Sequence, residues 1–135
     1  MDVNERFQKQ FLKDMRDVLE ESGLSERWEL DEGKSFLYGN GGERFQWEYD
    51  VILKNKENPN EGLEIYGFDE GKCSIGRNGE YDPYSLDFKE SGFGLYNSDG
   101  QELTDFEEGS DEEAFRDAFE AWLDFWYEDW YGERA

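Results

Sequence analysis

A chain of 135 residues suffices for one domain with a proper core and is too short for two. It carries 36 acidic against 14 basic residues, a formal charge of −22, and no histidine. Phosphate backbones and anionic membrane surfaces repel so negative a chain, which argues against direct nucleic-acid or lipid binding and for a basic partner.

High charge also favours disorder, because such chains bury little apolar surface. Two features oppose that here. Aromatic residues make up 18% of the chain, and each buries roughly 150–250 Å². The apolar residues also recur on regular periods. A folded domain spanning 1–135 is expected.

The first element predicted is a helix over 3–21. Val3, Phe7, Phe11, Met15, Val18 and Leu19 keep helical spacing and Leu12 widens their face. Ser22-Gly23-Leu24 reads as its stop, with Gly23 in the left-handed conformation and Leu24 folding back. The exposed side mixes Arg6, Lys9, Lys13 and Arg16 with Asp14, Asp17 and Glu20, an ordinary solvated face.

Residues 28–103 read as a sheet. In "RFQWEYDVIL", Phe45, Trp47, Tyr49, Val51 and Leu53 alternate with Gln46, Glu48, Asp50, Ile52 and Lys54, the period-2 signature of a half-buried strand. "LEIYGF", "YSLDFKE" and "FGLYN" are shorter candidates. Turns are expected at Asn40-Gly41-Gly42, Asn58 to Gly62, Asn78-Gly79 and Asp99-Gly100. "LDEGKSFLYGNG" and "FDEGKCSIGRNG" share Asp-Glu-Gly-Lys and Asn-Gly at one offset. They read as two similar turn–strand–turn units or as two hairpins converged on similar turns.

A second helix is predicted over 110–130. Ser110 and Glu113 form a capping box, and Thr104 to Glu107 can cap one extra turn ended by Gly109. Phe115, Ala118, Phe119, Trp122, Leu123, Phe125 and Trp126 cover one broad face. The fold class is therefore α+β: an antiparallel meander of about five to six strands flanked by an N-terminal and a C-terminal helix on one face.

Catalytic chemistry finds little to stand on. Without histidine the usual base of Ser or Cys triads is missing, and Cys73 reads as a buried small hydrophobe in a strand. "GNGGER" and "GRNGEY" lack the P-loop and dinucleotide patterns. "YNSDGQEL" starts like a calcium loop, but its twelfth position would be Phe106, which cannot ligate. Carboxylate pairs are too abundant here to signal a hydrolase. No enzyme, cofactor or metal site is expected. A lone cysteine, a first stretch "MDVNERFQKQF" without an apolar signal core, and no run of ~20 apolar residues point to a soluble cytoplasmic protein.

The last helix holds the strongest functional signal. Glu113, Asp117, Glu120, Asp124 and Glu128 stand at spacings of four, three, four and four, one row of an α-helix. Neighbouring like charges cost about 0.2–0.5 kcal/mol each, and Glu128 and Asp129 crowd the negative end of the helix dipole. Over a rise of about 22 Å the row approaches the charge density of one DNA strand. Its charges lie about 5–6 Å apart, inside the ~8 Å Debye length. Tyr127 and Tyr131 flank the row as expected interface anchors. In size, charge and this ridge, though in no motif, the chain resembles small acidic inhibitors: phage or plasmid anti-restriction and anti-CRISPR DNA mimics, and immunity proteins of nuclease toxins. The resemblance implies a basic nuclease or DNA/RNA-binding protein as partner. The alternative reading is a halophilic or scaffold-type domain whose acidity is incidental.

Overall fold

The computed structural model describes residues 3–77 and 82–130, leaving out the side chains of residues 3, 4, 83, 129 and 130. Asn78-Gly79 and Tyr131, and the side chains of Val3 and Asp129, lie outside the described residues.

Helix α1 (Val3–Glu21) ends where Gly23 takes φ 78° and its N–H donates to Glu20 O. Leu24 then folds back into the core and is fully buried. Five antiparallel strands follow: β1 (Trp28–Leu30), β2 (Phe36–Asn40), β3 (Arg44–Asn55), β4 (Gly62–Lys72) and β5 (Asp87–Asn97). The sheet runs β1-β3-β4-β5, with β2 on the same edge of β3 as β1. It is a meander with a broken first row. Helix α2 (Asp111–Phe125) closes the fold and continues as a π-helical turn over Trp126–Trp130.

The break lies at Asp31 to Ser35. Asp31 N–H donates to Ile52 O, Ser35 Oγ accepts from Ile52 N–H, and the intervening residues bulge out of the row. Gln8 of α1 clamps the far side, donating to Ser35 O and accepting from Leu37 N–H. At Asn97 to Gln101 the Asn97 side chain accepts from the Asp99 and Gln101 N–H groups, and Gly100 takes φ 78°.

Alternation along β3 points Phe45, Trp47, Tyr49, Val51 and Leu53 to one side, all essentially buried. Both helices pack there: Phe7 and Trp126 each meet Trp47 edge-on at 5.1 and 5.5 Å, and Phe119 meets Tyr49 at 5.4 Å. The rings need room on the neighbouring strand. Tyr49 lies over its cross-strand partner Gly67 and Phe45 over Gly71, where an added Cβ would stand 2.4 Å from the Tyr49 ring and 2.7 Å from the Phe45 ring. Glycine at these two positions lets rings rest on backbone.

Four expectations are corrected. Asp31 to Lys34 is a loop, but Asp69 to Lys72 is the end of β4, so the shared tetrapeptide marks no structural repeat. Its conformation is set by flanks, since the long alternation before Asp69 extends the strand through it. "YSLDFKE" and "FGLYN" are not separate strands, because β5 runs through Gly92, while Tyr84 and Ser85 sit in a short 3₁₀ turn. Thr104 to Glu107 is not helical; Ser110 N–H closes a turn on Glu107 O with Gly109 at φ 79°. Cys73 is buried just beyond β4, its thiol donating to Gly42 O at 3.3 Å. No helix among the described residues is long and apolar enough to cross a membrane.

Candidate acidic interface on the helix layer

Both ends of α2 are tied down. At the start, Ser110 Oγ accepts from Glu113 N–H and Glu113 Oε1 accepts from Gly109 N–H, both 3.2 Å. Asp111 accepts from Arg27 at 2.8 and 2.6 Å and from Trp28 Nε1 at 2.8 Å. The Arg27 contacts, then that of Trp28, hold its carboxyl below the ordinary aspartate range against the opposing effect of burial. At the far end, Tyr127 donates to Asp69 Oδ2 at 2.6 Å.

This places each residue singled out in the sequence. Asp117, Glu120, Asp124 and Glu128 are exposed. Glu113 is half-buried and engaged in its cap. Tyr127 overturns its expectation: it is 8% exposed, packs on Phe45 and Phe88, and is core rather than a surface anchor. The π-helical turn supplies the reason. Trp126 keeps the core side that α-helical spacing gives it, and Tyr127, which that spacing would bring beside the ridge, lies in the π-helical turn and reaches Asp69 on the sheet. Phe125 moves the other way. Read as core, it is 48% exposed on the flank of α2.

The ridge has little neutralisation. Arg116, the one cation of α2, reaches Asp117 at 3.0 Å and stacks over Phe106 at 4.6 Å. Among the described residues no cation pairs with Glu120, Asp124 or Glu128. Like charges three and four positions apart thus stand uncompensated in one row.

Sequence reasoning missed the second half of this surface. α1 and α2 run antiparallel, as the Phe7–Trp126 and Phe11–Trp122 contacts require. Between them lies an open groove of about 600 Å³, floored by Val18, Ala118, Ala121, Trp122 and Phe125 and edged by Asp14, Asp17 and Glu21. Asp14 accepts from Trp122 Nε1 at 3.1 Å, which fixes its place on the rim. The mixed face of α1 is partly sorted. Asp14, Asp17 and Glu21 border α2, while Arg16 pairs with Glu32 and Lys9 lies with Glu5 beside Tyr38 on the β2 side. The spacing of Asp14, Asp17 and Glu21 held that signal, but which neighbour they faced depended on packing.

Among the described residues no helix covers the opposite face of the sheet. Tyr38 is 64% exposed, and Tyr66 donates to Glu48 at 2.9 Å. There Asp50 is half-buried beside Glu64 and Glu48; burial, then the Glu64 hydrogen bond and charge, push its carboxyl up to about 8.

Fold and surface together define a two-layer α+β protein whose helix layer presents a carboxylate-bordered groove. Compared with known protein families, curated proteins and solved structures, the chain has no match.

Proposed function

We propose that this protein is a small acidic inhibitor or decoy that occupies the nucleic-acid site of a basic nuclease or DNA/RNA-binding protein. The observation that carries the reading is the exposed row Asp117, Glu120, Asp124 and Glu128, three of its four members without a paired cation among the described residues. Such a row offers Lys and Arg a phosphate-like field. Its acids speed encounter electrostatically and exclude nucleic acid by competition. In this reading the chain performs no catalysis of its own.

The test is capture of partners from the native host at 50 and 200 mM salt, with the chain and with a variant carrying Asp117→Asn, Glu120→Gln, Asp124→Asn and Glu128→Gln. The expected result is a basic nucleic-acid-binding protein whose retention falls steeply with salt and with the variant. Retention of the same partner by both proteins at both salts rejects the reading. The sheet face opposite the helices, with Tyr38 and Tyr66 exposed, favours one second reading: a scaffold-type domain binding a neutral partner, which that result would support.

A further inference from the structure

The ridge alone would bind any cation-rich surface. The groove beside it is more selective. Its floor is apolar, and Phe125 sits at its edge half-exposed although the other described rings of the two helices and the π-helical turn are buried. Asp14, Asp17 and Glu21 line the α1 bank, and on α2 the Ala118, Ala121 and Phe125 stripe runs directly beside Asp117, Glu120 and Asp124. A ligand seated there meets carboxylates on both sides and apolar surface beneath.

Resting on the reading of a basic partner, we infer that this groove receives an amphipathic basic helix of that partner. Charge complementarity selects it. A neutral or acidic helix would leave two rows of carboxylates facing it unpaired, whereas flanking Lys and Arg side chains reach both banks. The dimensions agree with a helix. Ala118 to Phe125 spans about 10 Å at 1.5 Å per residue, room for two turns. Apolar anchors at i, i+3 or i+4 and i+7 would lie on Ala118, Ala121 and Phe125, making a third helix on the α1–α2 pair. The small alanines permit close approach, and Phe125 gives one large ring for an aliphatic anchor.

Two synthetic 15-residue peptides of identical Leu and Lys content test this, one with Leu on a single helical face and one with Leu scattered around the helix. Binding is read by fluorescence anisotropy at 50 and 200 mM salt. The amphipathic peptide is expected to bind at least tenfold tighter than the scattered one and to shift the methyl resonances of Val18, Ala118 and Ala121. Ala121→Arg, at an exposed position that leaves the core intact, is expected to abolish that tenfold preference while weak salt-dependent binding of both peptides persists. Equal affinity for the two peptides overturns the groove and leaves the basic-partner reading standing. No binding of either at 50 mM salt overturns both. A preference that survives Ala121→Arg overturns the groove and places the amphipathic contact elsewhere.

Discussion

Asp-Glu-Gly-Lys occurs twice, and the two copies share almost nothing but letters. At Asp31 to Lys34 the segment bulges from the sheet edge, and Asp31 meets the half-exposed Lys54 at 3.1 Å. At Asp69 to Lys72 it is strand, and Asp69 is 1% exposed. There it accepts hydroxyl hydrogen bonds from Tyr127 at 2.6 Å, Ser91 at 2.9 Å and Tyr49 at 3.4 Å. One copy makes an edge loop; the other anchors the π-helical turn that carries Glu128. A carboxylate's worth is set by what surrounds it, and only the second copy supports the candidate interface.

The sharpest way to break this contrast is to remove both carboxylates in turn. Asp69→Ala strands the two buried tyrosine hydroxyls at about 1–3 kcal/mol each, while the exposed Ser91 hydroxyl can turn to water, so a loss of at least about 2 kcal/mol is expected in urea unfolding. Asp31→Ala loses one ion pair to the half-exposed Lys54 and strands no buried hydroxyl, so it should cost less, about 1 kcal/mol. Equal losses would erase the distinction. Tyr127→Phe deletes one bond to a charged acceptor and should cost about 1.5–3 kcal/mol. Amide exchange should accelerate in the last turn of α2 and not at Asp111, where Arg27 and Trp28 hold the other end.

The glycines sharpen it further. A Cβ at Gly71 would stand 2.5 Å from Asp87 O and 2.7 Å from the Phe45 ring, so Gly71→Ala should cost about 1–3 kcal/mol. At Gly33 it meets only Asp31 Oδ1 at 3.7 Å, and Gly33→Ala should stay within about 0.5 kcal/mol.

Asp50 supplies a third environment, among carboxylates. Its folded pKa of about 8 lies above the ordinary aspartate value of 3.8, so the native state holds the proton longer than the unfolded chain. Its share of stability therefore declines as pH rises from about 4 to 8. Asp50→Asn should raise the melting temperature more at pH 8 than at pH 5. Asp31 has the opposite sign. Burial opposes its ionisation, but Lys54 and Lys34 outweigh that and lower its pKa below 3.8. Its contribution is present above that value and lost as pH falls through the lowered one. Asp31→Asn should flatten only the acid limb of a melting-temperature profile, by the smallest margin of these changes.

Periodicity explains what was legible beforehand. The α1 face, the β3 alternation, Gly23 and the Ser110 cap each depend on neighbours within a few positions, and each stands as expected. The misplaced features depend on distant partners. Asp69 follows its strand, and Tyr127 and Phe125 follow how α2 unwinds and against what it packs. Asp14 and Asp17 looked like part of a mixed surface, and Glu21 drew no notice, because a helix period tells which side is wet, not which neighbour borders it.

The rings resting on glycines carry a consequence for how this sequence can change. Tyr49 and Gly67 occupy one shared volume, as do Phe45 and Gly71. Neither member of a pair can drift alone: a side chain at 67 evicts the ring at 49, and a smaller residue at 49 leaves a void over 67. In any descendant of this chain the two positions are expected to change together, so covariation between 49 and 67, and between 45 and 71, would be the inherited trace of this core.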